Sequence, residues 1–178
     1  TRQGFDHFFG IPYSDDMVEN AKRGRPPLPL MRNESVIEAP VDVNLLTQRN
    51  THEALRFIEE NRNRPFFLYF PQITPGSTGS PPVAQDFRGL SGNGTWGDSV
   101  MELDWSTGQI MDKLSELGLT EKTLIIWTND NGAPGWRPNA SNLPLKGGAY
   151  SVAEGGMRVP FIARWPGKIK AGTQCSEL

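Results

Sequence analysis

One stretch of sequence does most to decide the fold class, Thr123-Leu124-Ile125-Ile126-Trp127-Thr128-Asn129-Asp130-Asn131-Gly132. Its first six residues form a continuously apolar, β-favouring run, which predicts a strand. The Asn, Asp, Asn and Gly that follow are typical of a tight turn. In open α/β sheets, ligands bind beyond the carboxyl ends of the strands, so this turn is also the first candidate for a functional site.

Helical and strand patterns alternate around this stretch. Residues 47–62 have apolar side chains on one face and predict an amphipathic helix. Residues 66–70 are five consecutive apolar residues and predict a strand buried on both faces. Apolar residues at helical spacing across 100–117 predict a longer helix, and 159–165 predict a third strand. This alternation predicts an α/β protein with a mixed, largely parallel sheet flanked by helices.

Composition excludes several classes of protein. The chain has 178 residues, enough for one ordinary domain, and a net charge of −2, which lacks the positive field that nucleic-acid binding requires. No segment approaches the roughly 18 uninterrupted apolar residues of a membrane helix. The single cysteine, Cys175, excludes an internal disulfide and a zinc-cysteine site. Residues 1–46 follow neither a helical nor a strand period and predict irregular loop.

The polar turn and a later glycine-rich segment contain the candidate site residues. Asp130 and Asn131 offer the hard oxygen ligands that Ca²⁺ or Mg²⁺ prefers, although the same residues also suit an Asx turn that binds no metal. Lys146 precedes Gly147 and Gly148, where its ammonium could reach an anion beside the metal or could simply be a surface charge. Of the two histidines, His52 is expected on the helix surface.

The second histidine, His7, lies among aromatic residues and is expected to be structural. Its segment begins a series of blocks that resemble, in order and spacing, the middle of type I sulfatases of the arylsulfatase A and N-acetylgalactosamine-6-sulfatase kind. The blocks are Gly4-Phe5-Asp6-His7-Phe8-Phe9-Gly10-Ile11-Pro12-Tyr13-Ser14, Pro65-Phe66-Phe67-Leu68-Tyr69, Thr128-Asn129-Asp130-Asn131-Gly132, Leu145-Lys146-Gly147-Gly148, Glu154-Gly155-Gly156-Met157-Arg158-Val159-Pro160 and Trp165-Pro166-Gly167.

The resemblance implies an alkaline-phosphatase-like α/β fold and hydrolysis of sulfate esters, on a sulfated carbohydrate or an aryl sulfate, through a formylglycine and a calcium ion. It assigns Asp130 and Asn131 as two ligands of Ca²⁺, with Mg²⁺ as the alternative, and Lys146 as a catalytic, sulfate-binding lysine. It further implies a parent enzyme that is secreted, periplasmic or lysosomal. A sulfated small molecule or glycan is the expected partner; a nucleic acid or a membrane is not.

The chain also departs from the family pattern. It has no Cys-x-Pro-Ser-Arg, from which formylglycine is made, and Cys175-Ser176-Glu177 does not match that motif. The paired aspartates and the Gly-Lys-Trp-His-Leu-Gly block of the family are also missing. Residues 1–178 are therefore expected to be the central part of a sulfatase catalytic domain, without the amino-terminal nucleophile segment and the carboxy-terminal part, and inactive alone. A histidine usual after the 66–70 segment is replaced by Gly76 or Ser80, depending on the alignment.

Two other functions remain open on these residues. A phosphatase of the same superfamily would share the metal turn, but such enzymes need several histidine ligands and the chain has only two histidines. A catalytically dead sulfatase-fold module that binds an anion or a carbohydrate would fit the missing catalytic groups.

Overall fold

The computed structural model describes residues 1, 4–17, 24–76, 80–137 and 140–175. Its contacts divide the chain into two compact units, Thr1–Ile110 and Met111–Leu178. Within the described ranges, no helix combines the length and the apolar character needed to cross a bilayer. Part of the Gly76 to Ser80 loop (residues 77–79) and the Ser176 and Glu177 of the cysteine segment lie outside the described residues.

A small antiparallel sheet opens the first unit. It consists of β1 (Phe9–Gly10), β2 (Leu30–Arg32) and β3 (Ser35–Glu38), in that spatial order. The prediction that residues 1–46 are irregular loop is therefore wrong in part, because strands of two to four residues are too short to show a period. Asn33, at a φ of 53°, makes the tight turn between β2 and β3.

The two predicted helices are confirmed. α1 spans Leu46–Asn61 after a 3-10 turn at Val43–Leu45, and its buried face includes Ala54 and Ile58. α2 spans Gly94–Glu116 after a second 3-10 turn at Gln85–Phe87, so it begins about two turns before the predicted start.

Two backbone hydrogen bonds end α2 at Gly118, as this glycine in the sequence predicts. Gly118 adopts a φ of 65°, and its amide donates to the Ser115 carbonyl at 3.0 Å. The next amide, of Leu119, donates to the Leu114 carbonyl at 2.8 Å. A residue with a side chain would be strained at the position of Gly118, because this φ lies in the left-handed region.

Glu53 on α1 is the buried centre of a charge cluster that includes His7. Its carboxylate accepts hydrogen bonds from Arg32 and Arg56, and His7 Nε2 donates to Glu53 Oε1 at 2.9 Å. Burial raises the pKa of Glu53, but the hydrogen bonds and charges of Arg32 and Arg56 outweigh it and lower that pKa to about 2. The His7 ring also stacks on Phe57. These contacts agree with a structural role for His7, and His52 is exposed as expected.

The segment 66–70 does not form the predicted strand. It pairs with no other strand in the described part of the chain. Its side chains alternate in exposure, and Phe67 and Tyr69 are 73% and 66% exposed. The prediction was wrong because a strand requires a hydrogen-bonded neighbour, which the local sequence does not specify.

The second unit contains β4 (Ile125–Thr128) and β5 (Phe161–Arg164), both close to the predicted positions. They pair antiparallel, with Ile125 opposite Arg164 and Thr128 opposite Phe161. The predicted largely parallel pairing is therefore wrong for these strands, and every strand pair in the described ranges is antiparallel. A 3-10 turn (Thr120–Lys122) precedes β4. Among the described residues of the connection to β5, the only helix is the single-turn α3 (Glu154–Met157), which does not make a parallel crossover.

Candidate active site

The polar turn after β4 combines a local hydrogen bond with free oxygen ligands. Asp130 Oδ1 accepts a hydrogen bond from the Asn131 amide at 2.9 Å, as expected if these residues only shape the turn. Both residues are exposed. The second carboxylate oxygen of Asp130 and the carboxamide of Asn131 form no hydrogen bond with any described residue. Two side-chain oxygens of the turn are therefore available to a ligand.

A close crossing of two backbone segments holds this turn in place. The Gly132 amide donates to the Gly156 carbonyl at 3.0 Å. A Cβ on Gly132 would lie 1.7 Å from the Gly155 oxygen, which is far inside van der Waals contact. The requirement for glycine at this position is therefore steric, since the Gly155-Gly156 backbone occupies the space of a side chain.

The same crossing positions Lys146. The Gly155 amide donates to the Lys146 carbonyl at 2.9 Å, so the lysine segment and the polar-turn segment are bonded to adjacent glycines. Gly147 has a φ of 81°. A Cβ on Gly148 would lie 2.3 Å from the Ala133 oxygen. The Lys146 side chain is exposed, and its ammonium has no hydrogen-bond or ion-pair partner in the described ranges.

Asn142 is hydrogen-bonded to both of these segments, a role that the sequence did not predict. Its Oδ1 accepts from the Ala133 amide at 2.8 Å, and its Nδ2 donates to the carbonyls of Ala133 at 2.8 Å and Gly147 at 3.2 Å. One carboxamide therefore satisfies three backbone groups on both sides of the candidate site. Its position ahead of the Leu143-Pro144 turn is an ordinary loop signal, so nothing local indicated these long-range contacts.

We expect Asn142→Asp to lower the thermal unfolding midpoint of the full-length protein more than Asn142→Ala does. A carboxylate keeps the acceptor for Ala133 but loses the donor, and it repels two carbonyl oxygens. The deficit should shrink as the pH falls toward about 4, where an aspartic acid regains a donor. Leu143→Ala, next to Asn142 and with a side chain that is 85% exposed, is the matched control and should change the midpoint little. Equal midpoints for wild type and Asn142→Asp would contradict this role.

The donor chemistry of the polar turn fits a hard cation, but the described residues provide an incomplete ligand set. Asp130 supplies an anionic oxygen and Asn131 a neutral one, whereas Ca²⁺ takes about six to eight oxygens. No group of three or more His, Cys, Asp or Glu suited to a metal occurs in the ranges that the structure describes. Residues beyond these two would have to complete the coordination.

The histidine that sulfatases usually have after the 66–70 segment is replaced here by a residue that is not a general acid, Gly76 or Ser80 depending on the alignment. Gly76, one of the two aligned residues, has a φ of 56°, and a Cβ there would lie 2.8 Å from the Ile73 oxygen. A histidine at this position would be strained in the present backbone. Ser80, the other aligned residue, is exposed and lies 3.5 Å from Thr95 through their hydroxyl oxygens.

Comparison with known proteins decides the family. The family model described as Sulfatase matches residues 1–177, nearly the whole chain. This chain belongs to the sulfatase family. The resemblance of its sequence blocks to type I sulfatases is thereby confirmed.

The names of curated relatives of this sulfatase chain refer to different substrates, a sterol, a sugar and an aryl group. It is similar to human steryl-sulfatase, with 41% identity over 83% of the chain and 26% of the relative. It is 36% identical to canine N-acetylgalactosamine-6-sulfatase over 99% of this chain and 36% of the relative. It is 37% identical to human arylsulfatase A over 96% of this chain and 37% of the relative. The chain thus spans between about a quarter and a little over a third of the length of these relatives.

Solved sulfatase structures share the fold. The PsFucS1 sulfatase from Pseudoalteromonas sp. superposes with a TM-score of 0.79 at 30% identity, over 95% of this chain and 39% of that one. The structure of Ps i-CgsB in complex with k-i-k-neocarrahexaose superposes with a TM-score of 0.73 at 26% identity, over 96% of this chain and 42% of that one. The sulfatase chain therefore has the alkaline-phosphatase-like fold, of which it forms a mixed helix and sheet part.

Proposed function

We propose that the protein containing this chain hydrolyses sulfate esters and that Asp130, Asn131 and Lys146 belong to its active site. The observation that carries the proposal is the bonding of both segments to one glycine pair. The backbone after Asn131 is bonded to Gly156, and the Lys146 carbonyl is bonded to Gly155. Membership of the sulfatase family supports the reaction class.

Each residue has a defined role in this proposal. Asp130 and Asn131 would hold a calcium ion through their side-chain oxygens, and the bound ion would supply electrostatic polarisation of the sulfate. Lys146 would place its ammonium near the sulfate oxygens, where negative charge increases as the ester bond breaks. Asn142 positions the Lys146 segment through Gly147 and touches no reacting atom.

The nucleophile of the proposed reaction would be a formylglycine outside these residues, since the chain contains no Cys-x-Pro-Ser-Arg. The aligned positions Gly76 and Ser80 cannot donate a proton as a histidine does. Loss of a general acid costs about 10²–10⁴ in rate, and the cost is greatest for poor leaving groups. Aryl sulfates, whose phenolates leave easily, are therefore the esters on which activity is expected first.

The test is hydrolysis of 4-nitrocatechol sulfate by the full-length protein with calcium present, beside 4-nitrophenyl phosphate. Sulfate release that exceeds phosphate release supports the proposal. The reverse preference would favour the phosphatase alternative. Binding of a sulfate ester with no turnover would favour the catalytically dead module. The isolated 178-residue chain, measured in parallel, is expected to be inactive.

The metal assignment makes a separate prediction for the full-length protein. Asp130→Ala should abolish calcium binding or weaken it strongly, while Asn131→Ala should weaken it less, because only Asp130 contributes an anionic oxygen to a hard cation. Calorimetric titration with calcium measures the order. Asp112→Ala, on α2, is the control for loss of a charge elsewhere. Equal calcium affinity for wild type and Asp130→Ala would remove Asp130 from the metal site.

A further inference from the structure

Two exposed aromatic side chains form a stacked pair in the unit that contains the candidate site. The rings of Trp136 and Tyr150 have centroids 5.7 Å apart and an interplanar angle of 9°. Trp136 is 60% exposed and Tyr150 is 78% exposed. Large aromatic side chains normally gain stability by burial, so an ordered pair left open to solvent calls for a partner.

The pair is held on the same backbone framework as the candidate site. Trp136 lies in a turn closed by the Arg137 amide on the Pro134 carbonyl at 3.2 Å. Tyr150 lies in a turn closed by the Ser151 amide on the Gly148 carbonyl at 3.1 Å.

A further hydrogen bond joins the two turns. The Ala149 amide donates to the Ala133 carbonyl at 3.2 Å. Tyr150 also adopts a φ of 66°, a left-handed conformation that is uncommon for a residue with a side chain. The backbone of each aromatic residue is thus held by its turn; Trp136 follows Ala133 by three residues, and Tyr150 follows Lys146 by four.

We infer that the Trp136 and Tyr150 pair, which we call the aromatic platform, binds a sugar ring next to the sulfated sugar of an oligosaccharide substrate. This inference rests on the proposed function, in which Lys146 binds the sulfate. A pyranose ring presents an apolar C–H face that stacks on an aromatic ring, while its hydroxyl groups remain in water. An open platform suits such a ligand.

A steroid or another fully apolar group fits this platform less well. Apolar ligands gain most of their affinity from pockets that cover most of their surface. In the described part of the chain both rings are largely exposed, so these residues enclose a ligand on the platform only partly. Lys146 lies four residues before Tyr150 in the same loop, and a cation and an aromatic pair carried by one loop complement a molecule that has both a sulfate and a sugar face.

The experiment measures binding by calorimetry to the full-length, calcium-saturated protein. The probes are N-acetylgalactosamine 6-sulfate, which is too short to reach beyond the sulfate site, and a chondroitin 6-sulfate tetrasaccharide. We expect Trp136→Ala and Tyr150→Ala each to weaken tetrasaccharide binding by about ten-fold and to leave monosaccharide binding nearly unchanged. Val152→Ala is the matched control, because Val152 is 93% exposed in the same loop and apolar.

Unchanged tetrasaccharide affinity in both variants, or an equal loss for both probes, would overturn the inference. A loss of affinity for a steroid sulfate alone would also overturn it. Failure of the proposed function is recognised separately. A protein that binds the tetrasaccharide through the aromatic platform but hydrolyses no sulfate ester would contradict the hydrolase and keep the platform. If the protein hydrolyses 4-nitrocatechol sulfate but the Trp136→Ala and Tyr150→Ala variants bind the tetrasaccharide normally, the hydrolase is kept and the aromatic platform is contradicted.

Discussion

Gly132→Ala is expected to abolish sulfate ester hydrolysis by the full-length protein and to lower its thermal unfolding midpoint. The new methyl group would lie 1.7 Å from the Gly155 oxygen and 2.9 Å from the Gly155 carbonyl carbon. Both obstructing atoms are backbone, so no side-chain rotation relieves the clash. Overpacking of this kind costs about 1–3 kcal/mol or more, and here the movement would separate Asp130 from Lys146.

Gly135→Ala is the control for this prediction, because a Cβ on Gly135 would meet nothing within 4 Å in the same loop. Its midpoint and its rate of aryl sulfate hydrolysis should match those of the wild type. Differential scanning calorimetry and steady-state kinetics measure the two effects. Wild-type stability in Gly132→Ala would mean that the two backbone segments are not in contact.

Lys146→Ala is expected to lower kcat/KM for an aryl sulfate by about 10²-fold or more, equivalent to about 2.7 kcal/mol of transition-state stabilisation. Calcium affinity should change little, because Lys146 is not a metal ligand in the proposed site. Lys146→Arg should restore activity only in part, since a planar guanidinium does not reproduce a compact charge.

Lys168→Ala, which removes another exposed lysine of the same unit, is the control for a general loss of positive charge. Steady-state kinetics at saturating calcium separate an active-site lysine from a surface lysine that only keeps a glycine-rich loop soluble. An unimpaired Lys146→Ala enzyme would remove this residue from the active site.

The helices could be predicted from the sequence because the signals for a helix are local. The apolar spacing of α1 and the terminal Gly118 of α2 each depend on residues within a few turns. The positions of β4 and β5 could also be predicted, but their antiparallel direction could not. Direction depends on the connection between the strands, and the sequence does not show that a long loop with one helical turn returns antiparallel.

The candidate site was predictable as a set of residue types and not as an arrangement. Asp130, Asn131 and Lys146 were selected by chemistry, and the resemblance to sulfatases assigned their roles. The hydrogen bonds of Asn142 and the steric requirement for Gly132 arise where distant segments cross. No pattern within a short window indicates such crossings, so these positions required the structure.

The half-exposed segment 66–70 has a consequence for how the protein is made. Five successive apolar residues without a charge, of which Phe67 and Tyr69 point to solvent, are the kind of segment that starts amyloid-like stacking between chains. Pro65 and Pro71 border the segment on both sides. Proline lacks the amide that would extend an intermolecular ladder, so two newly synthesised copies could pair over these five residues and no further. The two prolines are therefore expected to limit aggregation through this segment.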